Sequence, residues 1–197
     1  MEFTQKQNIK YIAALLLLSV ASQAIYTALY QYGGDIPRKW LWGLEGLLFI
    51  LLAAMAGSAL AQAKSCTLGY SAILASASLN FLQVGIGLTQ FGAFREAAQA
   101  VEGVSAAAGG VFALSFFVYN GAKVLLGLAA IVFGSAIAKT GPKVLGQLTI
   151  LVGCIALVAN AIVMMFGRIG GVPSGATGVV ATLLLAVCVY KLQAQDE

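Results

Sequence analysis

Two ionisable side chains stand in apolar runs long enough to cross a membrane. Glu45 follows Trp40-Leu41-Trp42-Gly43-Leu44 and precedes a long apolar stretch, and Lys123 is embedded in Val118-Tyr119-Asn120-Gly121-Ala122-Lys123-Val124-Leu125-Leu126. A charge within a spanning helix costs roughly 2.5–3.5 kcal/mol on insertion scales, so each needs a reason to be there. A carboxylate and an ammonium at similar depth can hold opposite ends of a polar ligand or gate its passage. They can equally form an ion pair which, with amide bonds between helices, holds a bundle together. Glu45 lies near enough to a helix end to reach headgroups, and Lys123 has a stem long enough to snorkel.

Uncharged polar residues gather near the same depth. At a rise of about 1.5 Å per residue, Lys123 lies about 24 Å from Lys139 and Glu45 about 28 Å from Lys64. Asn80 lies about 24 Å from Lys64, Asn160 about 26 Å from Lys143 and Gln23 about 20 Å from Lys10 by the same measure. Helical spacing places Gln23, Tyr26 and Tyr30 on one face, Asn80, Gln83 and Gln90 on another, and Asn120 with Lys123 on a third. The expected substrate-binding set is therefore Glu45, Lys123, Asn120, Asn80, Gln83, Asn160, Gln23 and Tyr26, arranged as an outward-facing polar pocket between helices.

Catalysis is poorly served by this inventory. The chain has no histidine, which removes imidazole acid–base chemistry, His metal ligands and axial His ligation of haem. It shows no nucleophile constellation and no paired carboxylates, and Glu45 is the only carboxylate within a span. Cys66, Cys154 and Cys188 lack metal-ligand spacing, and an odd number cannot complete a disulfide framework. No glycine-rich stretch follows a nucleotide-binding pattern. The expectation is a protein that is not an enzyme and uses no metal or cofactor.

The elements that must carry these residues are apolar helices. Sixty per cent of the 197 residues are hydrophobic and 9% are charged, against roughly a quarter charged in a soluble domain. Apolar stretches of about 20 residues fall at 10–31, 40–63, 67–90, 110–138, 143–166 and 171–191. Gly33-Gly34-Asp35-Ile36-Pro37, Thr140-Gly141-Pro142 and Gly170-Gly171-Val172-Pro173 punctuate them. A membrane barrel would need short segments of alternating polarity, and these are uniformly apolar. The expected fold is an all-α, polytopic integral membrane protein: one six-transmembrane-helix bundle spanning residues 1–197.

Six spans put Lys6, Lys10, Lys64, Lys139, Lys143 and Lys191 on one side and Arg38, Lys39, Arg95 and Arg168 on the other. That excess favours both termini in the cytoplasm, and the expected location is a bacterial inner membrane. Tyr30, Tyr32, Trp40 and Trp42 would mark one interface, with Tyr11, Tyr70 and Tyr190 at the other. A second reading of the start takes Lys6 and Lys10 with the run Tyr11 to Val20 as a signal peptide cleaved near Ala21-Ser22-Gln23-Ala24, leaving five spans. The apolar stretch continues through Ile25-Tyr26-Thr27-Ala28-Leu29, which a removed signal would not need.

The one long connection, about 91–108, contains Phe94, Ala98 and Val101 at helical spacing, which suggests a short interfacial helix. An inert connector is favoured over a lid. A candidate parallel repeat aligns Leu51–Ala61 with Leu128–Ala138, pairing helices 2 and 3 with helices 4 and 5. Both copies contain Ala-x-x-x-Gly-Ser-Ala-[Leu/Ile]-Ala. Ala53, Gly57 and Ala61, like Ala130, Gly134 and Ala138, fall four apart, the spacing that lets helix backbones approach closely.

In size and hydropathy only, this small six-helix chain with an outer polar layer resembles the substrate-capturing components of energy-coupling-factor vitamin transporters. Ala21, Ala24 and Ala28 echo their small-residue docking face. The resemblance is architectural and transfers no binding residues. The functional expectation is binding or transport of a small polar or amphiphilic ligand, with the lipid bilayer as surroundings. The alternative is a non-catalytic subunit or assembly factor of a larger membrane complex, supported by the abundant small residues. A homo-oligomer or a membrane-protein partner fits either reading. Nucleic acid does not, because the basic residues are spread singly.

Overall fold

The computed structural model describes residues 3–32, 39–167, 170 and 172–193. Arg38, Arg168, Gly171 and the Gly33–Pro37 break lie outside the described residues. Six helices follow one another: α1 (Gln5–Tyr32), α2 (Lys39–Gln62), α3 (Thr67–Ala100), α4 (Val104–Thr140), α5 (Lys143–Phe166) and α6 (Ser174–Gln193). No strand occurs among the described residues. All six helices are long and apolar enough to cross a membrane.

Neighbour relations define the packing. α1 contacts α2 and α6, α2 contacts α3, α3 contacts α4, and α4 contacts α6, which closes a five-helix ring. α5 packs outside it against α4 and α6. Within the ring, Leu16, Leu52, Ile73, Leu126, Phe133 and Leu185 are buried in one apolar core. Large apolar side chains such as Leu18, Leu47, Phe81, Leu151 and Val180 face outward, which suits helices apolar enough to sit in a bilayer.

The outer helix is held by glycines. A Cβ at Gly127 would meet Gly153 O at 2.9 Å, and one at Gly134 would meet Gly146 O at 2.9 Å. These antiparallel pairs are spaced seven residues apart on both helices, so small residues set the closest approach of α4 to α5. The aligned glycine of α2 behaves differently: a Cβ on Gly57 meets only the Leu74 side chain, at 3.9 Å, which is ordinary contact. The two similar segments therefore pack against unlike neighbours.

Three expectations change. The connection at 91–108 is not a separate interfacial helix: α3 runs on to Ala100, a three-residue turn through Gly103 (φ 90) follows, and α4 starts at Val104. Arg95-Glu96-Ala97-Ala98-Gln99-Ala100 consists of strong helix formers, so the helix has no cause to stop where the apolar stretch does. At 34 and 37 residues, α3 and α4 reach about 50–55 Å, well beyond the roughly 30 Å of a bilayer core. α1 likewise begins at Gln5, five residues before the apolar stretch.

Tyr70 is the third change. It is buried, 4% exposed, with its ring edge-on to Phe133 at 5.0 Å. Phe133 in turn lies over Gly69, where a Cβ would come within 2.6 Å of the ring. Tyr11, Tyr30, Tyr32, Trp40 and Tyr190 are exposed.

Candidate functional site

Lys123 occupies the middle of the ring. Its stem rests on Gly178 of α6, where a Cβ would lie 3.1 Å from Lys123 Cδ. Its ammonium donates to Gln23 Oε1 of α1 at 3.2 Å and stands 5.1 Å from the centre of the Tyr119 ring. α1 and α4 are not packed neighbours, so this hydrogen bond crosses the interior. Lys123 is 2% exposed and does not snorkel.

Glu45 is also buried, at 7% exposed. It lies within electrostatic reach of Lys123 and faces Ser22 of α1. Neither Glu45 Oε1 nor Ser22 Oγ completes a hydrogen bond of normal geometry. The two charges thus share a buried compartment without forming a contact ion pair. Buried polar groups are nearly always satisfied, and an unmet one costs about 1–3 kcal/mol, more if charged.

The amides divide by role. Ser76 Oγ donates to Ala122 O at 2.8 Å, and Asn80 Nδ2 donates to Ser76 O at 3.1 Å and Ser76 Oγ at 3.3 Å. Gln83 Nε2 donates to Ser115 Oγ at 3.3 Å. The Ser76 and Gln83 contacts tie α3 to α4, and Asn80 bonds within α3. Asn160 donates to Ala156 O at 2.7 Å and Ser174 O at 3.2 Å; its hydrogen bonds stay within α5 and the start of α6, apart from Gln23 and Lys123. Asn120 Nδ2 donates to Phe116 O at 2.6 Å, while its Oδ1 is buried without a donor. Gln90 is exposed and donates to Thr89 Oγ1.

Tyr26 joins an aromatic series beside the polar layer. It stacks on Trp42 (5.6 Å), which meets Phe91 edge-on (5.7 Å), which meets Phe112 edge-on (4.7 Å). One ring from each of α1 to α4 therefore roofs the layer. Trp42 lies flat enough on α3 that a Cβ at Gly87 would come within 2.9 Å of it. Trp42, Ser22, Tyr119 and Gly178 were not among the expected site residues. Tyr119 had a legible signal, one helical turn from Lys123; the others depend on which helices become neighbours.

Two clefts flank this compartment. One, of about 790 Å³, lies between α4, α5 and α6, with Tyr119, Asn120 and Ser174 in its lining. The other, of about 1080 Å³, opens at the opposite end among Gln62, Lys64, Tyr70, Phe133 and Lys139. Leu126 and Phe133, both buried, separate the second cleft from Lys123 along α4. Among the described residues no group of three His, Cys, Asp or Glu side chains could hold a metal ion.

No family model, curated protein or solved structure matches the chain. Function must be argued from the chemistry of this compartment. Its unmet atoms are a carboxylate oxygen and a hydroxyl, belonging to Glu45 and Ser22. Lys123 gives one of its three N–H groups to Gln23 and keeps two. A molecule completing the compartment would bring a donor to Glu45 and could accept from Lys123.

Proposed function

We propose that this chain is an integral membrane protein that binds or transports a small polar or amphiphilic ligand through the compartment of Gln23, Glu45 and Lys123, reached from the outer face past the Tyr26, Trp42, Phe91 and Phe112 rings. The observation that carries the reading is the open pair: Glu45 Oε1 is buried without a donor while Lys123 gives its hydrogen bond to Gln23. Charges kept only for structure gain most by closing on each other. A ligand that supplies donors to Glu45 gives the gap a purpose.

Native mass spectra of the full chain, extracted gently from its host membrane, test this reading. The expected result is a chain or homo-oligomer carrying one discrete small molecule, which Glu45→Gln sheds while remaining folded. Full retention by Glu45→Gln and by Lys123→Met would overturn the pocket.

A second reading, a subunit of a larger complex, is favoured by Ala21, Ala24 and Ala28, which are exposed along α1. Small residues at that spacing suit close contact with another helix. Fixed stoichiometry with other polypeptides in the same spectra would establish it.

Orientation has its own probe. Cys66 sits half-buried between α2 and α3, at the end of the bundle that we place in the cytoplasm. Burial pushes its thiol up from the ordinary value, with a hydrogen bond involving Ser65 opposing this. Because the thiolate is the nucleophile, an impermeant maleimide should label Cys66 more slowly at neutral pH than it labels a free thiol. The rate should still climb with pH after the free thiol levels off. Labelling should occur in inside-out vesicles and fail in right-side-out ones; the reverse would invert the topology.

A further inference from the structure

The cleft between α4, α5 and α6 is independent of the Glu45–Lys123 compartment and has its own chemistry. Leu114, Phe116, Phe117, Val163 and Met164 line it. Leu114, Phe116 and Phe117 are about half exposed on the outside of the bundle, so the cleft opens sideways toward lipid rather than along the ring axis. Its volume of about 790 Å³ falls within the range of about 300–1,000 Å³ that houses small molecules.

Asn120 gives these apolar walls a polar focus. It lines the cleft and is 3% exposed. Its Nδ2 is committed to the Phe116 carbonyl, which fixes the orientation of the amide, and its Oδ1 has no donor. Bulk hydrocarbon would fill the space but leave that oxygen unmet. A trimethylated or ester head would also leave it unmet, since neither has a hydrogen to give.

We propose that this cleft takes a single-chain amphiphile laterally from the bilayer, with a head group that donates a hydrogen bond, a primary ammonium or hydroxyl, to Asn120 Oδ1. The chain lies along Phe116, Phe117 and Met164. The Tyr119 ring, which lines the cleft and stands under the Lys123 ammonium, separates the bound head from the ring interior.

The test is photolabelling of the full chain in phosphatidylcholine vesicles by a long-chain primary amine bearing a diazirine, with labelled peptides mapped by mass spectrometry. Label should concentrate on residues 113–120 and 163–167. An unlabelled amine or alcohol of equal length should compete about tenfold better than the trimethylammonium compound, the worth of one hydrogen bond. Asn120→Leu should abolish that preference while labelling persists.

Gly175, at the mouth, has open space around a built Cβ, so Gly175→Trp should fill the cleft and remove the label. Ala113→Trp fills it from the opposite wall and serves if the first variant fails to fold. Label spread evenly over the lipid-facing sides of all helices, or equal competition by the two head groups, would overturn the proposal. Ligand retention by Glu45 and Lys123 variants reads the other compartment, so either idea can fail alone.

Discussion

Replacing Gly146 by leucine is expected to cost about 3 kcal/mol or more and to do so by parting α5 from α4. A Cβ at Gly146 would stand 2.5 Å from Ala138 N, 2.6 Å from Gly134 O and 2.7 Å from Ala138 Cα. All three are backbone atoms, so no side chain can swing away to make room. The helices must separate, and the facing contact of Gly127 with Gly153 loosens with them. Where lipid tails are as apolar as the helix faces, close packing is much of what holds helices together. Gly57→Ala supplies the contrast. The Leu74 methyl carbons nearest its built Cβ stand at 3.9–4.0 Å, and alanine is the better helix former by about 0.8–1 kcal/mol. That variant should be neutral or slightly more stable. Denaturation of the detergent-solubilised protein by SDS, followed by circular dichroism, reads both. A Gly146→Leu protein as stable as the parent would mean that α4 and α5 do not meet as described.

Lys123→Met carries the second large effect. Methionine keeps much of the stem that rests on Gly178 and loses the ammonium, leaving Glu45 without its nearby cation and Gln23 Oε1 without its donor. Removing one member of a buried charge pair typically costs about 3–5 kcal/mol, most of it the penalty of stranding the other. The double variant Lys123→Met with Glu45→Gln should therefore be more stable than Lys123→Met alone, by about 1–3 kcal/mol. The amide retains the shape of the carboxylate, carries no charge and brings two donors to a place that lacks them. Ligand retention should nevertheless vanish in the double variant as in the single one, because recovered folding does not restore the charges. A double variant whose loss equals the sum of the two single losses would show that the charges do not sense each other. The interior would then need another explanation.

The candidate site was partly legible because charge is expensive in hydrocarbon. Glu45 and Lys123 stood out from their apolar flanks, and counting residues at a fixed helical rise put them at the depth of Gln23 and Asn80. That counting runs along a helix axis and says nothing about rotation around it or about the next helix. Asn160, at matching depth, bonds within α5 and to α6, since α5 lies outside the ring. Tyr70 has the spacing of an interfacial aromatic and the environment of a core residue. Gly57 and Gly134 share a local motif, yet Gly134 faces backbone and Gly57 faces the end of a leucine side chain.

Six apolar helices and their order were determined by the sequence alone, because length and polarity act locally and need no partner to be read. The far ends of α3 and α4 escaped that reading because a hydropathy ruler measures the bilayer, whereas strong helix formers carry the backbone hydrogen bonds on past it. Only the tertiary structure decided that Lys123 reaches across the ring to Gln23, that Glu45 keeps an unmet oxygen beside it, and that Asn120 lines a cleft between α4, α5 and α6. These contacts join residues up to 100 positions apart, on helices whose neighbours are chosen by side-chain packing over the whole bundle.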